Sequence, residues 1–463
     1  MGFIHLHVHS EYSFLDGLMK IKELVAKAKS LNMKAIALTD HNHIGGCYEF
    51  FNECRKENIK PILGVETYWT HDTNILSLPN NERKKIAKAK LEELYTKEEI
   101  KAMKSEDKKE ILKSLEYDNK QYHLLLLAKN DKGFKDIIRL QEKASEKCTY
   151  NGRYLVDDEM LKEYVTENII ATTACIGSII SNLVSKNKLE EAEEQLLKWK
   201  DIFKDNLYLE MQPLLIEQQI NTNKFYIKMH LKHNIPLVAT TDVHYANYED
   251  HDDHDKLMCI GMGKMFDDEN RMRYENEFWL KSANEMRESF ERQTLLIDED
   301  DREEYFEHCR QAINNTLHIN NLITDDYVLG SDVPVYPNVD LKENETPESK
   351  LRLESYSGLY KYLSKQKKAG NILDRHTYEC RLNHELNIIN KKGYAPYFLV
   401  VKDFIGYCDS HDIPTGPGRG SAAGALTLLC NNITKIIDPI QHNLLFERFL
   451  TADRTSPPDN FAI

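Results

Sequence analysis

The chain has 463 residues, about three domains' worth at roughly 150 residues each, which excludes a peptide-scale or disulfide-stapled scaffold. Lys plus Arg number 61 against 75 Asp plus Glu, a net charge of −14, and 41% hydrophobic with 29% charged residues is the composition of a folded globular chain. That balance argues against wholesale coating of nucleic acid but leaves room for a local basic channel. The nine cysteines contain no C-x-x-C pair and read as reduced thiols. No apolar run reaches membrane-spanning length and the first residues lack an export-signal layout, so a cytoplasmic location and no membrane partner are expected.

Along the chain, Phe3 to Ser10 alternates with period two, placing His5, His7 and His9 on one face and Ile4, Leu6 and Val8 on the other. Ile21, Leu24, Val25, Ala28 and Leu31 recur at helical spacing, and residues 34–38 form a short buried-type strand. Further strands are predicted over 61–66, 123–128, 169–173 and 235–240, with helical stretches between them. Strand, helix, strand at this regularity predicts a parallel α/β sheet closed as a barrel. The Lys- and Glu-rich stretch from Asn80 to Asn119 reads as a solvated helical insertion. From about Asp267 the pattern becomes long helices, an acidic run at 298–301 and a Pro-marked extended piece at 333–337; a boundary near 275 divides a first domain, 1–275, from a second, 276–463.

Ligand-type side chains fall at the tips of the predicted strands. His7 and His9 form an H-x-H pair projecting the same way, as ligands to one metal or to adjacent metals require. Asp16 follows in a turn ending at Gly17; His41 closes the next strand, Glu66 the third, His123 opens the fourth, Cys175 follows the fifth, and Asp242 and His244 end the last. Such tips are where α/β folds place active sites. Mixed imidazole and carboxylate ligands suit Zn²⁺ or Mn²⁺, and nine of them fit three divalent ions. Clustered ions neutralise phosphate oxygens and activate water, which makes phosphoester hydrolysis the expected reaction.

The run from His5 to Gly17, with Ala37 to His41 and Gly64 to Glu66 behind it, resembles the PHP (polymerase and histidinol phosphatase) domain, in the version that opens bacterial replicative DNA polymerase III alpha subunits. The resemblance implies a distorted seven-stranded β/α barrel with a trinuclear centre, and its nine ligand positions match His7, His9, Asp16, His41, Glu66, His123, Cys175, Asp242 and His244. An intact set implies a 3′–5′ exonuclease or related phosphoesterase. Lys392 to Ile405, Gly416 to Ser421 and Leu444 to Leu450 are similar to the start of the alpha-subunit palm, a mixed α+β domain.

Gly416, Gly418 and Gly420 allow close backbone approach, Arg419 offers a charged fork, and Ser421 opens a predicted helix, Ala422 to Cys430, whose free amides favour an anion. The resemblance makes this loop the contact for the incoming nucleotide's triphosphate. One departure stands out. The family carries Pro-Asp-x-Asp-x-Asp, whose last two aspartates hold Mg²⁺; here Pro458 and Asp459 are followed by Phe461 and Ile463 at those positions. Apolar side chains cannot hold Mg²⁺, so this polypeptide alone is expected not to polymerise DNA, and Mg²⁺ belongs only to a completed palm. DNA primer-template, deoxynucleoside triphosphate and a second chain carrying the remaining polymerase are the expected partners. The rival readings are a free-standing phosphatase of small phosphomonoesters and a non-catalytic, metal-stabilised module of a split polymerase.

Overall fold

The computed structural model describes residues 2–115, 121–330 and 336–451, and the chain divides into two compact units, Met1–Gly330 and Ser331–Ile463. In the first unit the strands are β1 (Ala35–Leu38), β2 (Lys60–Trp69), β3 (Tyr122–Ala128), β4 (Thr149–Tyr150), β5 (Arg153–Val156), β6 (Ile169–Thr172), β7 (Leu207–Met211) and β8 (Leu237–Ala239). The N-terminal stretch is extended without forming a regular strand. It joins the two ends of the sheet: the amides of Ala37 and Thr39 donate to the carbonyls of His5 and Val8, while on the other side the His9 amide donates to the Val243 carbonyl and the Val243 amide to the His7 carbonyl. With that stretch counted, β1, β2, β3, β6, β7 and β8 form a seven-membered closed ring, and the β4–β5 hairpin extends from β2.

The ring is not wholly parallel, contrary to the expectation from the strand and helix alternation. β3 runs antiparallel to both β2 and β6, whereas β1 with β2, β6 with β7 and β7 with β8 are parallel. The reason is the long excursion before it: the charged helices Asn80–Leu94, Lys97–Ala102 and Ser105–Leu115 return the chain to the end of the sheet it had just left. The first two of these helices bury little, Ala87 and Leu91 alone in the first and no residue in the second, in keeping with a solvated insertion.

The units divide at Gly330 rather than near 275. The helices Ala283–Thr294 and Arg302–Leu322 place Met286, Phe290, Tyr305, Cys309, Ala312, Ile313 and Ile319 in the same core as the strands. Polar contacts reinforce this. Asn315 Nδ2 donates to the Leu237 carbonyl at 2.7 Å, Lys60 Nζ to the carbonyls of Asn320 and Ile323 at 2.6 Å each, and the Tyr327 hydroxyl to the Ala128 carbonyl at 2.6 Å. A composition change at 267 thus marks a change from strands to helices within one core.

Among its described residues, the regular elements of the second unit are all helices. Helices Pro347–Lys368, Arg375–Lys391 and Ala395–Ser410 surround Leu351, Leu359, Leu382, Leu386, Phe398, Phe446 and Phe449. The strand content expected of a palm would fall at 458–463, outside the described residues, as do Val333 to Val335 of the Pro-marked piece. No helix among the described residues is long and apolar enough to cross a membrane.

Gly358 is the tightest point of this second core, since a Cβ there would lie 1.7 Å from the Cys430 carbonyl oxygen, a backbone atom that cannot swing aside. Gly358→Ala is expected to destabilise this unit by at least about 1 to 3 kcal/mol, the usual range for overpacking. Trp69, Trp199 and Trp279 all lie in the first unit. The loss therefore shows in denaturant unfolding followed by far-ultraviolet circular dichroism, while the tryptophan fluorescence transition keeps its midpoint.

Candidate metal centre

All nine predicted ligands meet at one end of the ring. His41 follows β1, Cys175 follows β6 and Asp242 and His244 follow β8; Glu66 lies in β2. His123 is near the start of β3 instead of at its end, and the antiparallel course of β3 brings that start to the same place, opposite Tyr68. The turn that carries Asp16 depends on Gly17, where a Cβ would lie 2.0 Å from the Ser10 carbonyl oxygen.

Glu66 is at the centre. Its Oε1 lies 2.8 Å from His123 Nδ1 and 3.2 Å from His7 Nε2, and its Oε2 is 2.6 Å from His41 Nδ1 and 3.7 Å from His9 Nε2. Asp242 Oδ1 stands 3.0 Å from the Nε2 atoms of both His7 and His9. Asp16 reaches His41 Nε2 at 3.0 Å and His244 Nε2 at 3.6 Å, and Cys175 Sγ is 3.4 Å from His123 Nδ1. His5, on the same predicted face, is not part of the cluster: its Nε2 pairs with the Lys281 carbonyl at 2.8 Å.

Three overlapping groups within this cluster have donor atoms close enough for a shared ion: His9, His41 and His244; His7, His9 and Glu66; His41, Glu66 and His123. Several buried atoms here, Asp16 Oδ1, Glu66 Oε2, Asp242 Oδ1 and His244 Nε2, lack a well-oriented hydrogen bond although neighbours crowd them. Buried polar atoms left so are costly unless something else satisfies them. Divalent cations fit this donor set, because imidazole nitrogen, carboxylate oxygen and thiolate are the ligands of borderline ions.

The electrostatics follow from burial among opposite charges. Burial disfavours the charge on Glu66, but His123, His7 and His41 outweigh it and hold the carboxyl well below the usual carboxylate range. Asp16 and Asp242 are likewise held low against burial, chiefly by His244 and by His7 respectively. His9 is pushed down to about 3 by burial and then by His41 and His244. Burial, with Asp242 and Glu66 beside it, pushes the Cys175 thiol up; a bound cation would reverse that.

Backbone strain concentrates here as well. Leu15, Asn42, Ala174 and Asp242 have φ of 61°, 51°, 55° and 52°, and each is a ligand position or its immediate neighbour. Non-glycine residues in this region persist where surrounding structure enforces them. The cluster opens into a cavity of about 650 Å³ whose wall includes the exposed Phe14, Arg153 and Arg273.

Two side chains absent from the sequence expectation join the site. His254 is buried, 3.8 Å from Asp16 Oδ1, with neither ring nitrogen in a well-oriented hydrogen bond. Glu210, in β7, lies 2.7 Å from His7 Nδ1. His254 sits one helical turn from His251, a spacing that alone carries no ligand signal, and Glu210 occupies a strand that the pattern left unassigned.

In the second unit, Gly418 and Gly420 have φ of 112° and 59°, and Arg419 and Ser421 are exposed. The predicted helix over 422–430 is instead a 3₁₀ turn, Gly420–Gly424, followed by a short helix, Leu426–Cys430. The amides at that helix start are not free for an anion. The buried Glu385 carboxylate accepts from Leu426 N at 3.0 Å and Thr427 N at 2.7 Å, so the protein's own side chain occupies the place.

Comparison with known proteins adds an independent line. The PHP domain family matches residues 5–213, and the bacterial DNA polymerase III alpha NTPase domain matches residues 349–460. The DNA polymerase III subunit alpha of Aquifex aeolicus is 35% identical over 461 residues, which is 99% of this chain and 36% of the relative. Those of Borreliella burgdorferi and Treponema pallidum are 36% and 33% identical, again over 99% of this chain and over 34% of each relative. The chain thus spans about a third of the length of the curated relatives it matches. Both family segments are present in order, and the chain is similar over 99% of its length to the first third of bacterial DNA polymerase III alpha subunits.

Proposed function

We propose that this chain is the metal-dependent phosphoesterase portion of a replicative DNA polymerase III alpha-type subunit, acting in DNA replication as a 3′–5′ exonuclease. The observation that carries the reading is the convergence of nine ligand-type side chains, from residues 7 to 244, at one end of the closed ring beside a nucleotide-sized cavity. His7, His9, Asp16, His41, Glu66, His123, Cys175, Asp242 and His244 hold three divalent ions, Zn²⁺ or Mn²⁺. The three overlapping donor groups support binding of divalent metal at this cluster.

Such ions, when bound, supply the positive charge and Lewis acidity that phosphodiester hydrolysis requires. The chain's own residues do the rest. Glu66 and Asp242 balance the charge of the centre, the strained turns at Leu15 and Ala174 hold Asp16 and Cys175 in place, and Arg153 and Arg273 on the cavity wall offer guanidinium forks to a phosphate. The exposed Phe14 ring offers a stacking face to a terminal base.

In the second unit, the open loop of Gly416, Gly418, Arg419, Gly420 and Ser421 contacts the triphosphate of a deoxynucleoside triphosphate. With Glu385 occupying the helix start, the loop's own amides and Arg419 are the groups left for that contact. Phe461 and Ile463 cannot hold Mg²⁺ at those two positions, so primer extension on a DNA primer-template requires aspartates from outside residues 1–463.

Incubation with Mn²⁺ or Zn²⁺ is expected to shorten 5′-labelled single-stranded and mismatched primer DNA stepwise. His9→Ala and Asp242→Asn each reduce that rate by more than roughly 100-fold, beyond the range for partners that only support a ligand. Phosphate release from a phosphomonoester with intact DNA would overturn the exonuclease reading in favour of a small-molecule phosphatase. Metal removal has its own signature. Elemental analysis is expected to find divalent metal in the purified protein, and chelation to lower the first unit's thermal midpoint, reflecting a loss of about 2.7 kcal/mol of stability when free metal had stood 100-fold above Kd. An unmoved tryptophan transition in chelator would count against a buried metal centre.

A further inference from the structure

Two buried carboxylates outside the nine-residue cluster stand behind the two histidines of the first segment. Glu210 is fully buried, and its Oε1 lies 2.7 Å from His7 Nδ1. The same carboxylate accepts from Thr240 Oγ1 at 2.5 Å, from Gln212 Nε2 at 3.0 Å and from the Thr172 hydroxyl. An ionised carboxylate only accepts, so Nδ1 of His7 carries the proton.

Behind His9 the arrangement has one more link. The Ser13 hydroxyl donates its single proton to Asp40 Oδ1 at 2.7 Å, and Asp40 also accepts from the Ser10 amide at 2.7 Å and the Ser10 hydroxyl at 2.9 Å. Ser13 Oγ, its proton committed, accepts from the His41 amide at 3.0 Å and faces His9 Nδ1 at 2.9 Å. Nδ1 of His9 is therefore a donor too. With Nδ1 of each ring bonded outward, Nε2 of each faces the centre, and these two nitrogens lie 3.1 Å apart with Asp242 Oδ1 at 3.0 Å from each. Three such atoms in a buried site need a proton or a cation to join them.

We propose that Glu210 and the Asp40–Ser13 pair are positioning residues that lock His7 and His9 with the proton on Nδ1, so that Nε2 of each faces the metal. A carboxylate behind a ligating imidazole fixes its tautomer and raises its basicity. The inference rests on the metal-centre reading for the identity of the cation, whereas the Nδ1 contacts themselves are a property of the metal-free chain.

The test uses the full chain with ¹⁵N-labelled histidine rings, stripped of metal, and separately titrated with Co²⁺ against a chromophoric chelator. Ring spectra of the parent protein are expected to show Nδ1–H at His7 and His9. Glu210→Ala is expected to mix the His7 tautomers and weaken Co²⁺ binding roughly 10- to 100-fold with a changed visible spectrum, and Glu210→Asp to recover part of both. Ser13→Ala should do the same at His9 while leaving His7 unchanged, which keeps the idea testable if Glu210→Ala does not fold. Rings protonated at Nε2 with Nδ1 bare in the parent protein, or Co²⁺ affinity within twofold in both variants, would overturn the proposal. Absence of Co²⁺ binding by the parent protein would instead overturn the metal-centre reading, and the ring spectra would then judge the tautomer lock alone.

Discussion

Glu66 is a carboxylate almost wholly removed from water, with imidazoles of His7, His41 and His123 within 3.2 Å of its oxygens. Removing an ion from water costs several kcal/mol even after relaxation, and that cost is offset only by close opposite charge and further hydrogen bonding. Around this one group the protein gathers two further carboxylates, a thiol and two more histidines, drawn from several parts of the ring. A site of this kind is expensive as a structural feature and useful as a metal centre, and the closed ring holds it together by leaving its members no room to separate.

The ring supplies that confinement through hydrogen bonds that have nothing to do with the site's chemistry. The N-terminal stretch is pinned between β1 and the segment after β8 by main-chain bonds at His5, Val8, His9 and Val243, so the H-x-H pair and the D-x-H pair face each other across a single bridge. Local strain is spent at the same place. Asp242 itself and the residues flanking Asp16, His41 and Cys175 have left-handed backbone, which aims short side chains inward from turns that would otherwise point them along the strand.

Much of this was legible from residue order. The period-two stretch at the N-terminus, the buried-type runs and the ligand residues at their tips follow from side-chain alternation and from the habit of α/β sheets to place chemistry at strand ends. His123 was the informative irregularity, since it opens its strand while its fellows close theirs, and the reversed course of β3 accounts for it. Glu210 and His254 were not legible. A single glutamate in an unassigned strand and a histidine on a helix have no periodic signature, and only the fold shows the one against His7 and the other against Asp16.

Sequence by itself determined which nine ligand-type side chains to look for, the strand set apart from β4, β5 and β7, the charged insertion and the family resemblance, because each depends on local pattern or on motifs read along the chain. Tertiary structure decided the direction of β3, the division of the units at Gly330 and the occupation of the Leu426 helix start by Glu385. Those three are settled by which surfaces meet after folding. A helix such as Arg302–Leu322 carries the same apolar stripe whichever core receives it, and a helix start attracts any anion within reach, so neither outcome is written in neighbouring residues.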